Sequence, residues 1–226
     1  MIYLRNLAFY LFFWALNPVY ILLVSPSLLL GTGALRAAIH GWVRWHRWSV
    51  VNMLGIDVVV EGSPIAGPAL YAIKHESFFE AIDAPSLFSL PAPFAKAELF
   101  RIPIWGYAGK LYGVIRVDRD GGASALRKMI AAANKYSAAG RPLIIYPEGT
   151  RVRHGERRSL QSGFAGLYKM LKLPVVPVAV DSGPTYRHNI KPRGTITYRF
   201  GAPIEPGLPR EEIEARVIEA INALNP

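Results

Sequence analysis

The sequence predicts an α/β fold: a single domain with a mixed β-sheet flanked by helices, preceded by an N-terminal hydrophobic helical membrane anchor. Three observations lead to this prediction. From Ile56 onward, short apolar runs typical of buried strands alternate with longer runs typical of helices. The chain has 226 residues, enough for one domain with a substantial core. Residues 7–30 carry no charged side chain and are almost wholly apolar. We therefore place the anchor in residues 1–50 and the folded domain in residues 51–226.

The apolar N-terminal stretch has the length of a membrane-spanning helix. At ~1.5 Å per residue it could cross a hydrocarbon core ~30 Å thick. Pro18 and Pro26 interrupt it, however, and a proline inside a helix removes a hydrogen bond. One kinked span and two short helices in one leaflet fit equally well. A signal peptide or a buried core helix would also be apolar, but no small-residue cleavage site follows. The pattern favours membrane attachment and leaves the topology open.

A tryptophan- and arginine-rich stretch over residues 36–48 follows the apolar segment. Tryptophans prefer the level of the lipid headgroups, and arginines favour the cytoplasmic side of a membrane. The same tryptophans would also suit a helix packed on the domain, so both roles remain open. His40 and His46 lack partners at metal-ligand spacing, which favours packing or surface roles and predicts no metal site.

The remaining elements alternate along the chain. A glycine at position 140 marks the end of the longest predicted helix. Strands are predicted over residues 57–61, 68–74, 93–96, 113–117, 143–146, 175–180 and 195–200, and helices over 78–90, 104–111, 123–139, 163–172 and 210–224.

Composition restricts the function classes. The chain has no cysteine, which excludes disulfides, thiolate metal sites and a cysteine nucleophile. Its 26 basic and 16 acidic residues give a net charge of +10, which admits nucleic acid, an anionic membrane or an acidic protein as partner. A hydrophobic content of 51% favours the membrane, and no nucleic-acid-binding motif is present.

A histidine and a carboxylate stand at short spacing after the strand predicted over residues 68–74. His75 lies where that strand ends and a helix begins, the place where open α/β sheets build their sites. A histidine acting as a general base needs a carboxylate that fixes its tautomer and stabilises its protonated form. Glu80 is the candidate. Because residues five apart on a helix do not share a face, the two meet only if His75 lies outside the first turn.

A second polar loop follows the strand predicted over residues 143–146. There Pro147-Glu148-Gly149-Thr150-Arg151 places a carboxylate, a glycine and a guanidinium after an apolar run.

In chain order, these and other short blocks resemble the glycerolipid acyltransferase family, whose members transfer a fatty acyl group onto a glycerol hydroxyl. The resemblance covers roughly residues 55 to 200. The matching blocks are Lys74-His75-x-Ser77-x-x-Glu80, Lys96-Ala97-Glu98-Leu99 with Ile102-Pro103-x-x-Gly106, Gly113-x-Ile115-x-Val117-Asp118-Arg119, Pro147-Glu148-Gly149-Thr150-Arg151, and Val176-Pro177-Val178.

The chain departs from the family pattern at two points. The family's usual acid in the first block is Asp, where this chain has Glu80, as some relatives that acylate mannosides do. After the Glu148 block the family usually has a Phe-Lys pair before a glycine, where this chain has Leu160-Gln161-Ser162-Gly163. The second departure puts one basic contact to a substrate phosphate in doubt.

The resemblance implies that a glycerol hydroxyl attacks an acyl thioester, with His75 as base and Glu80 as its orienting partner. Because the acceptor lipid supplies the nucleophile, no acyl-enzyme and no cofactor are expected; acyl-CoA or acyl carrier protein is the co-substrate. By resemblance, the substrate-binding residues are Lys96, Arg119 and Arg151 at the acceptor's phosphate, and Glu148, Gly149 and Thr150 near its glycerol. Ser77 is interpreted as the N-cap of the following helix. Arg153, Arg157 and Arg158 form either a solvated loop or a contact for the membrane surface or an acidic carrier protein.

The predicted function is that of a 1-acylglycerol-3-phosphate O-acyltransferase. It would be associated with the inner membrane, with its catalytic domain on the cytoplasmic face, and would make phosphatidic acid from lysophosphatidic acid. Another lysophospholipid or a lyso amino-acid lipid is the alternative acceptor. A lipid hydrolase would need its own nucleophile, and the chain has no G-x-S-x-G elbow. A non-catalytic membrane-binding module would leave the two polar loops without a role.

Overall fold

A seven-stranded mixed sheet forms the centre of the domain. The computed structural model describes residues 1–118 and 121–225. Its strands run in the spatial order β1-β7-β6-β2-β5-β3-β4, and all neighbours are parallel except β6 and β7. Their bounds are β1 Ile56–Glu61, β2 Leu70–Ile73, β3 Ala92–Lys96, β4 Ile115–Val117, β5 Leu143–Ile145, β6 Val175–Val180 and β7 Gly194–Phe200. The predicted α/β class and mixed sheet are confirmed.

Helices cover both faces of the sheet. They are α1 Ile2–Phe9, α2 Asn17–Val24, α3 Thr32–Ser49, α4 Phe79–Asp83, α5 Trp105–Tyr112, α6 Gly122–Ala138, α7 Ser162–Leu171, α8 Gly183–Tyr186 and α9 Arg210–Ile221. Successive residues of the central strands point to opposite faces: Tyr71 and Ile73 join the core on the α1 and α3 side, while Leu70 and Ala72 join the core under α6, α7 and α9.

The N-terminal residues form one long helical run that turns back into α3. The run from Ile2 to Leu28 continues through π-helical turns at Tyr10–Ala15 and ends in a 3₁₀ turn at Ser25–Leu28. Pro18 lies in the first turn of α2, where its missing N–H costs least. By length and composition alone, this run could cross a membrane.

The base of this helical hairpin belongs to the core of the domain. Phe9 and Phe13 are fully buried, and Asn6 exchanges two hydrogen bonds with the backbone of Lys191, at 3.0 and 2.8 Å. Residues 1–50 and 51–226 therefore share one packed interior at this point. The far end of the hairpin is different: Leu22, Leu23, Leu29 and Leu30 are 72–89% exposed.

Helix α3 packs part of its aromatic residues into the core. Trp42 and Trp45 pack against the core, whereas Trp48 is half exposed. His46 is fully buried and its Nε2 lies 2.7 Å from the hydroxyl of Tyr186. Burial, with smaller effects from the charges of Arg47 and Lys191, lowers the pKa of His46 to about 3.

Two local predictions need correction. The helix predicted over residues 78–90 is shorter: α4 ends at Asp83, and a 3₁₀ turn follows at Ala84–Ser86. Pro85 explains the break, since it has no N–H to continue the α-helical hydrogen bonds. The short helix α8 was absent from the predicted elements.

Candidate active site

The predicted site residues that lie in described loops gather at the carboxyl ends of neighbouring parallel strands. His75 follows β2, and Glu148 to Arg151 follow β5. The segment beginning at Ser182 follows β6, on the other side of β2. This edge is where parallel sheets place their ligands, because the loops after adjacent strands converge there.

His75 and Glu80 make the contact that their spacing predicts. His75 precedes α4, so its ring can turn back over the first turn, and Nδ1 lies 2.9 Å from Glu80 Oε1. The imidazole is 16% exposed and the carboxylate is fully buried. With the Nδ1 proton donated to the carboxylate, Nε2 carries the free lone pair.

The Glu80 carboxylate is also the cap of its own helix. Oε1 accepts the backbone N–H of Ser77 at 2.7 Å as well as that of Glu76, while the Ser77 hydroxyl accepts the N–H of Phe79 at 3.0 Å. This reciprocal pair of bonds across Ser77-x-x-Glu80 is typical of a capping box. Phe78, the residue before the assigned start of α4, already has helical dihedral angles (φ −81°, ψ −16°), so the capping bonds of Ser77 place the first helical residue at Phe78. The capping partner is the same carboxylate that holds the imidazole.

A residue from the loop after β6 completes the surroundings of Glu80. The Ser182 hydroxyl donates to Oε2 at 2.6 Å, and the Ser77 hydroxyl lies 3.0 Å from the same oxygen. Burial alone would raise the pKa of the Glu80 carboxyl. The hydrogen bond and charge of His75, followed by the bonds from Ser182 and Ser77, outweigh it and hold the pKa below its ordinary value. The carboxylate is therefore ionised beside the imidazole at neutral pH.

Tyr146 fixes the other side of the imidazole. Its ring lies 4.5 Å from the His75 ring, centroid to centroid, and its hydroxyl donates to the backbone carbonyl of Glu80 at 2.9 Å. One side chain thus contacts the histidine and the helix that carries its partner, which limits the rotation of both.

Glu148 lies inside the domain beneath His75. Its Oε1 accepts a hydrogen bond from Lys74 Nζ at 2.7 Å, and both side chains are fully buried. Lys74 also donates to Asn222 Oδ1 at 2.8 Å and to the carbonyl of Glu156 at 3.2 Å, so all three ammonium protons are used. This network joins β2, the loop after β5 and the end of α9. The other oxygen, Oε2, accepts the backbone N–H of His75 at 3.4 Å, so the carboxylate lies between Lys74 and His75. Its predicted position near the acceptor's glycerol stays a prediction.

The other predicted binding residues are distributed along the same edge. Gly149 has φ 68°, a conformation that favours glycine, and the half-buried Thr150 follows it. The guanidinium of Arg151 stands 3.9 Å above the exposed ring of Phe78. Lys96 is exposed at the end of β3. Arg119 lies outside the described residues.

Sequence reasoning missed four contacting residues: Tyr146, Ser182, Glu76 and His154. Glu76 is buried and accepts the N–H of Gly183 at 2.7 Å, and its Oε1 lies 3.1 Å from His154 Nδ1. Burial raises the pKa of Glu76, although the Gly183 and His154 contacts oppose the rise. The position of Ser182, two residues beyond the end of β6, was the available signal, since His75 stands two residues beyond β2.

The arrangement can take a proton from a hydroxyl. An imidazole that is 16% exposed, a fixed tautomer and a buried carboxylate together form the base half of a Ser-His-Asp triad. Within residues 1–118 and 121–225, no group of three or more His, Cys, Asp or Glu side chains is placed to hold a metal ion.

The sequence model of the Acyltransferase family matches residues 55–181, which is more than half of the chain. The chain therefore belongs to the Acyltransferase family. The family match includes every strand except the last and both polar loops of the site.

Individual relatives agree with this assignment. A 1-acyl-sn-glycerol-3-phosphate acyltransferase from Pseudomonas aeruginosa is 27% identical over 80% of this chain and 72% of its own length. A protein of the same name from Cocos nucifera is 28% identical over 76% of this chain and 58% of its own length. Another from Limnanthes douglasii is 30% identical over 73% of this chain and 57% of its own length. The crystal structure of the 1-acyl-sn-glycerophosphate acyltransferase PlsC from Thermotoga maritima has the same fold, with a TM-score of 0.79 at 22% identity over 99% of this chain and 95% of that one.

Proposed function

We propose that this protein transfers a fatty acyl group from an acyl thioester to the free hydroxyl of lysophosphatidic acid, giving phosphatidic acid. The observation that carries the proposal is the His75–Glu80 contact of 2.9 Å at the carboxyl ends of β2, β5 and β6. The names of the relatives support lysophosphatidic acid as the acceptor.

In the proposed mechanism His75 acts as base and then as acid. Its Nε2 takes the proton of the acceptor hydroxyl while that oxygen attacks the thioester carbonyl carbon, and Glu80 stabilises the resulting imidazolium. The tetrahedral intermediate then collapses, the carbon–sulfur bond breaks, and the leaving thiolate receives the proton. General base catalysis of this kind contributes about 10²–10⁴ in rate.

The acceptor's phosphate would be bound by Lys96, Arg119 and Arg151, with the backbone around Gly149 and Thr150 near the glycerol. Arginine suits phosphate because its planar fork donates hydrogen bonds in pairs. The ring of Phe78 holds the Arg151 guanidinium beside His75 before substrate binds. Glu148 would act indirectly: its bond to Lys74 fixes the strand end that carries the base.

The exposed apolar end of the N-terminal hairpin would attach the protein to the membrane. Leucines at this end would otherwise stand in water, and a lysolipid acceptor is presented in the plane of the bilayer. The arginines of α3 favour placement of the catalytic domain on the cytoplasmic face.

One observation favours a wider range of acceptors. Gln161, at the start of α7, stands where the family usually has lysine, and its side-chain amide donates to the backbone carbonyl of Glu148 at 3.2 Å. The site therefore has a neutral side chain where a phosphate-binding cation was expected, and a lysolipid with another headgroup is the second candidate acceptor.

The test is an acceptor panel with purified, membrane-reconstituted protein. Palmitoyl-CoA and palmitoyl acyl carrier protein are each supplied with lysophosphatidate, lysophosphatidylethanolamine and lysophosphatidylglycerol. We expect phosphatidic acid as the main product, loss of nearly all transfer in His75→Ala, and unchanged melting temperature. His40→Ala, a histidine of α3 beside Tyr112, is the matched control. Appreciable transfer by folded His75→Ala would refute the mechanism, and free fatty acid released without acceptor would indicate a hydrolase.

A further inference from the structure

A second cationic region lies on the β6 side of β2, opposite the residues assigned to the acceptor. It is a surface cavity of about 670 Å³, within the size range of small-molecule sites. Basic and amide side chains dominate its lining: Arg153, His154, Arg187, His188 and Asn189. No acidic residue lines it.

The strand order separates this cavity from the acceptor's cations. Arg151 lies in the loop after β5 and Lys96 is the last residue of β3, and both strands lie on one side of β2. Residues 183–189 follow β6, which lies on the other. The imidazole of His75, at the end of β2, stands between the two regions.

One loop joins the two regions by crossing the end of β2. The N–H of Val152 donates to the carbonyl of His75 at 2.8 Å, and the Val152 side chain is buried. Arg151 precedes this fixed point, while Arg153 and His154 follow it and reach the β6 side. The backbone thereby places one arginine on each side of the base.

The cavity wall is bonded to the residue next to the base. Arg187 donates to the backbone carbonyl of Glu76 at 3.1 Å, and the Glu76 carboxylate contacts His154 and Gly183. Glu76 is the nearest carboxylate; it is buried, with each oxygen engaged by one of these contacts. The guanidinium groups of Arg153 and Arg187 are exposed and face an open volume with no carboxylate in its lining.

Both substrates of the proposed reaction are anionic, and each needs cations within reach of its reacting group. We infer that the cavity formed by Arg153, His154, Arg187 and His188 binds the phosphate groups of the thioester carrier. This inference rests on the proposed function. Coenzyme A and the phosphopantetheine arm of acyl carrier protein both carry phosphate at the end of the flexible pantetheine chain opposite the thioester, so the ligand chemistry is the same for both. Arginine forks and imidazoles are suited to bind it.

The test compares three donors in Arg153→Gln, His188→Gln and a matched control, Arg127→Gln. Arg127 is an exposed arginine of α6 that does not line the cavity. The donors are palmitoyl-CoA, palmitoyl acyl carrier protein and palmitoyl-N-acetylcysteamine, which has no phosphate. We expect Arg153→Gln to raise KM for the phosphorylated donor about tenfold, as loss of one charge-assisted phosphate contact would. KM for lysophosphatidate, KM for the phosphate-free donor, and all constants of Arg127→Gln should stay unchanged. The donor that responds identifies the carrier.

Several results would overturn the inference. Equal effects on phosphorylated and phosphate-free donors would mean that the cavity has a structural role. A selective rise in KM for lysophosphatidate would assign the cavity to the acceptor. Weaker binding to phosphatidylglycerol vesicles with unchanged donor KM would assign it to a lipid headgroup.

Calorimetric titration with unacylated coenzyme A and with the phosphopantetheine-bearing carrier separates this inference from the proposed function. If the wild-type protein transfers no acyl group but binds these ligands, and Arg153→Gln weakens that binding, the inference about the cavity stands and the proposed acyltransferase function is refuted. If the wild-type protein transfers acyl groups but neither Arg153→Gln nor His188→Gln changes KM for either donor, the proposed function stands and the inference about the cavity is refuted.

Discussion

Replacing Glu80 with glutamine removes one charge from the site and almost nothing else. Oε1 accepts only N–H groups, from His75, Glu76 and Ser77, so the amide oxygen of glutamine takes this position. The amide nitrogen then faces the hydroxyls of Ser77 and Ser182, which can accept instead of donate. Glutamine also serves in a capping box.

The magnitude of the kinetic effect follows from this geometry. The His75 Nδ1 proton keeps its acceptor in Glu80→Gln, so the tautomer with a free Nε2 is retained. What is lost is the stabilisation of the imidazolium by a buried negative charge at 2.9 Å. A hydrogen bond to a charged group contributes roughly 1.5–3 kcal/mol, against about 1 for a neutral one. Loss of roughly 0.5–2 kcal/mol from the transition state would lower kcat by roughly 2- to 30-fold, with KM for both substrates little changed.

Glu80→Asp tests distance with the charge kept. Removing one methylene withdraws the carboxylate by ~1.5 Å, so its separation from His75 Nδ1 grows from 2.9 Å to roughly 4.4 Å if the backbone stays in place. The cap on the Ser77 N–H is lost with it. Since misplacement by about 1 Å can cost 10²-fold in rate, we expect this variant to be at least as impaired as Glu80→Gln.

The assay is kcat for acyl transfer to lysophosphatidate, measured together with the melting temperature. The competing account assigns Glu80 only to the first turn of α4, where a carboxylate contributes about 0.3–1 kcal/mol of stability. That account predicts near-normal turnover in both variants. Full turnover in folded Glu80→Gln would remove Glu80 from the catalytic pair.

Three further predictions concern the acceptor, the membrane and the core. Arg151→Ala should raise KM for lysophosphatidate by roughly 10-fold or more, as loss of a 1.5–3 kcal/mol contact implies, and leave KM for the thioester unchanged; equal changes would indicate a structural role. Leu22→Asp with Leu23→Asp should reduce binding to phospholipid vesicles at least 100-fold with an unchanged melting temperature, because an aspartate inside a bilayer costs about 2.5–3.5 kcal/mol; unchanged vesicle binding would place the attachment surface elsewhere. The pKa of His46 is about 3 in the folded protein and ~6.5 in the unfolded chain, so between these two pH values only the unfolded chain binds the extra proton. The free energy of unfolding should therefore fall by about 1.4 kcal/mol per pH unit as the pH drops below ~6.5. In melting curves measured against pH, His46→Phe should flatten this slope.

The fold was largely predictable because the local signals agree with one another. Each central strand is a short apolar run, and each long helix ends near a residue with a special conformation, such as Gly140 at φ 72°. The helix predicted after His75 is longer than the observed α4 because the apolar residues continue beyond Pro85. The proline ends the α-helix even though the hydrophobic pattern continues.

The site was predictable only where its contacts are local. His75 and Glu80 are five residues apart, so spacing and the strand-to-helix junction suffice. Ser182 is 102 residues from Glu80, and His154 is 78 residues from Glu76. No periodicity reports such contacts. They exist because β6 and β2 are parallel neighbours, and strand order is decided by the packing of the whole domain.

Glu148 illustrates a different limit. A glutamate followed by glycine, threonine and arginine in a loop reads as a ligand-binding residue. The sequence does not reveal that Lys74, just before the base, is fully buried and needs a counter-charge. An unpaired ammonium in the interior is strongly unfavourable, so the nearest carboxylate is drawn inward. The motif glutamate is thus bonded both to Lys74, at 2.7 Å, and to the backbone N–H of His75, at 3.4 Å.

The presence of Glu instead of the family's usual Asp at position 80 has a local explanation. A capping box needs a side chain long enough to reach from the third helical position back to the backbone N–H of the capping residue, and Glu80 does this while its Oε1 also accepts from His75. An aspartate at the same backbone position would be too short to reach both groups. The longer side chain therefore joins helix initiation to the orientation of the imidazole. Because Ser77 and Ser182 hold the other oxygen, the carboxylate cannot turn away from either task. The departure from the family pattern is thus consistent with a catalytic pair in which the length of the acid matches the loop that presents the base.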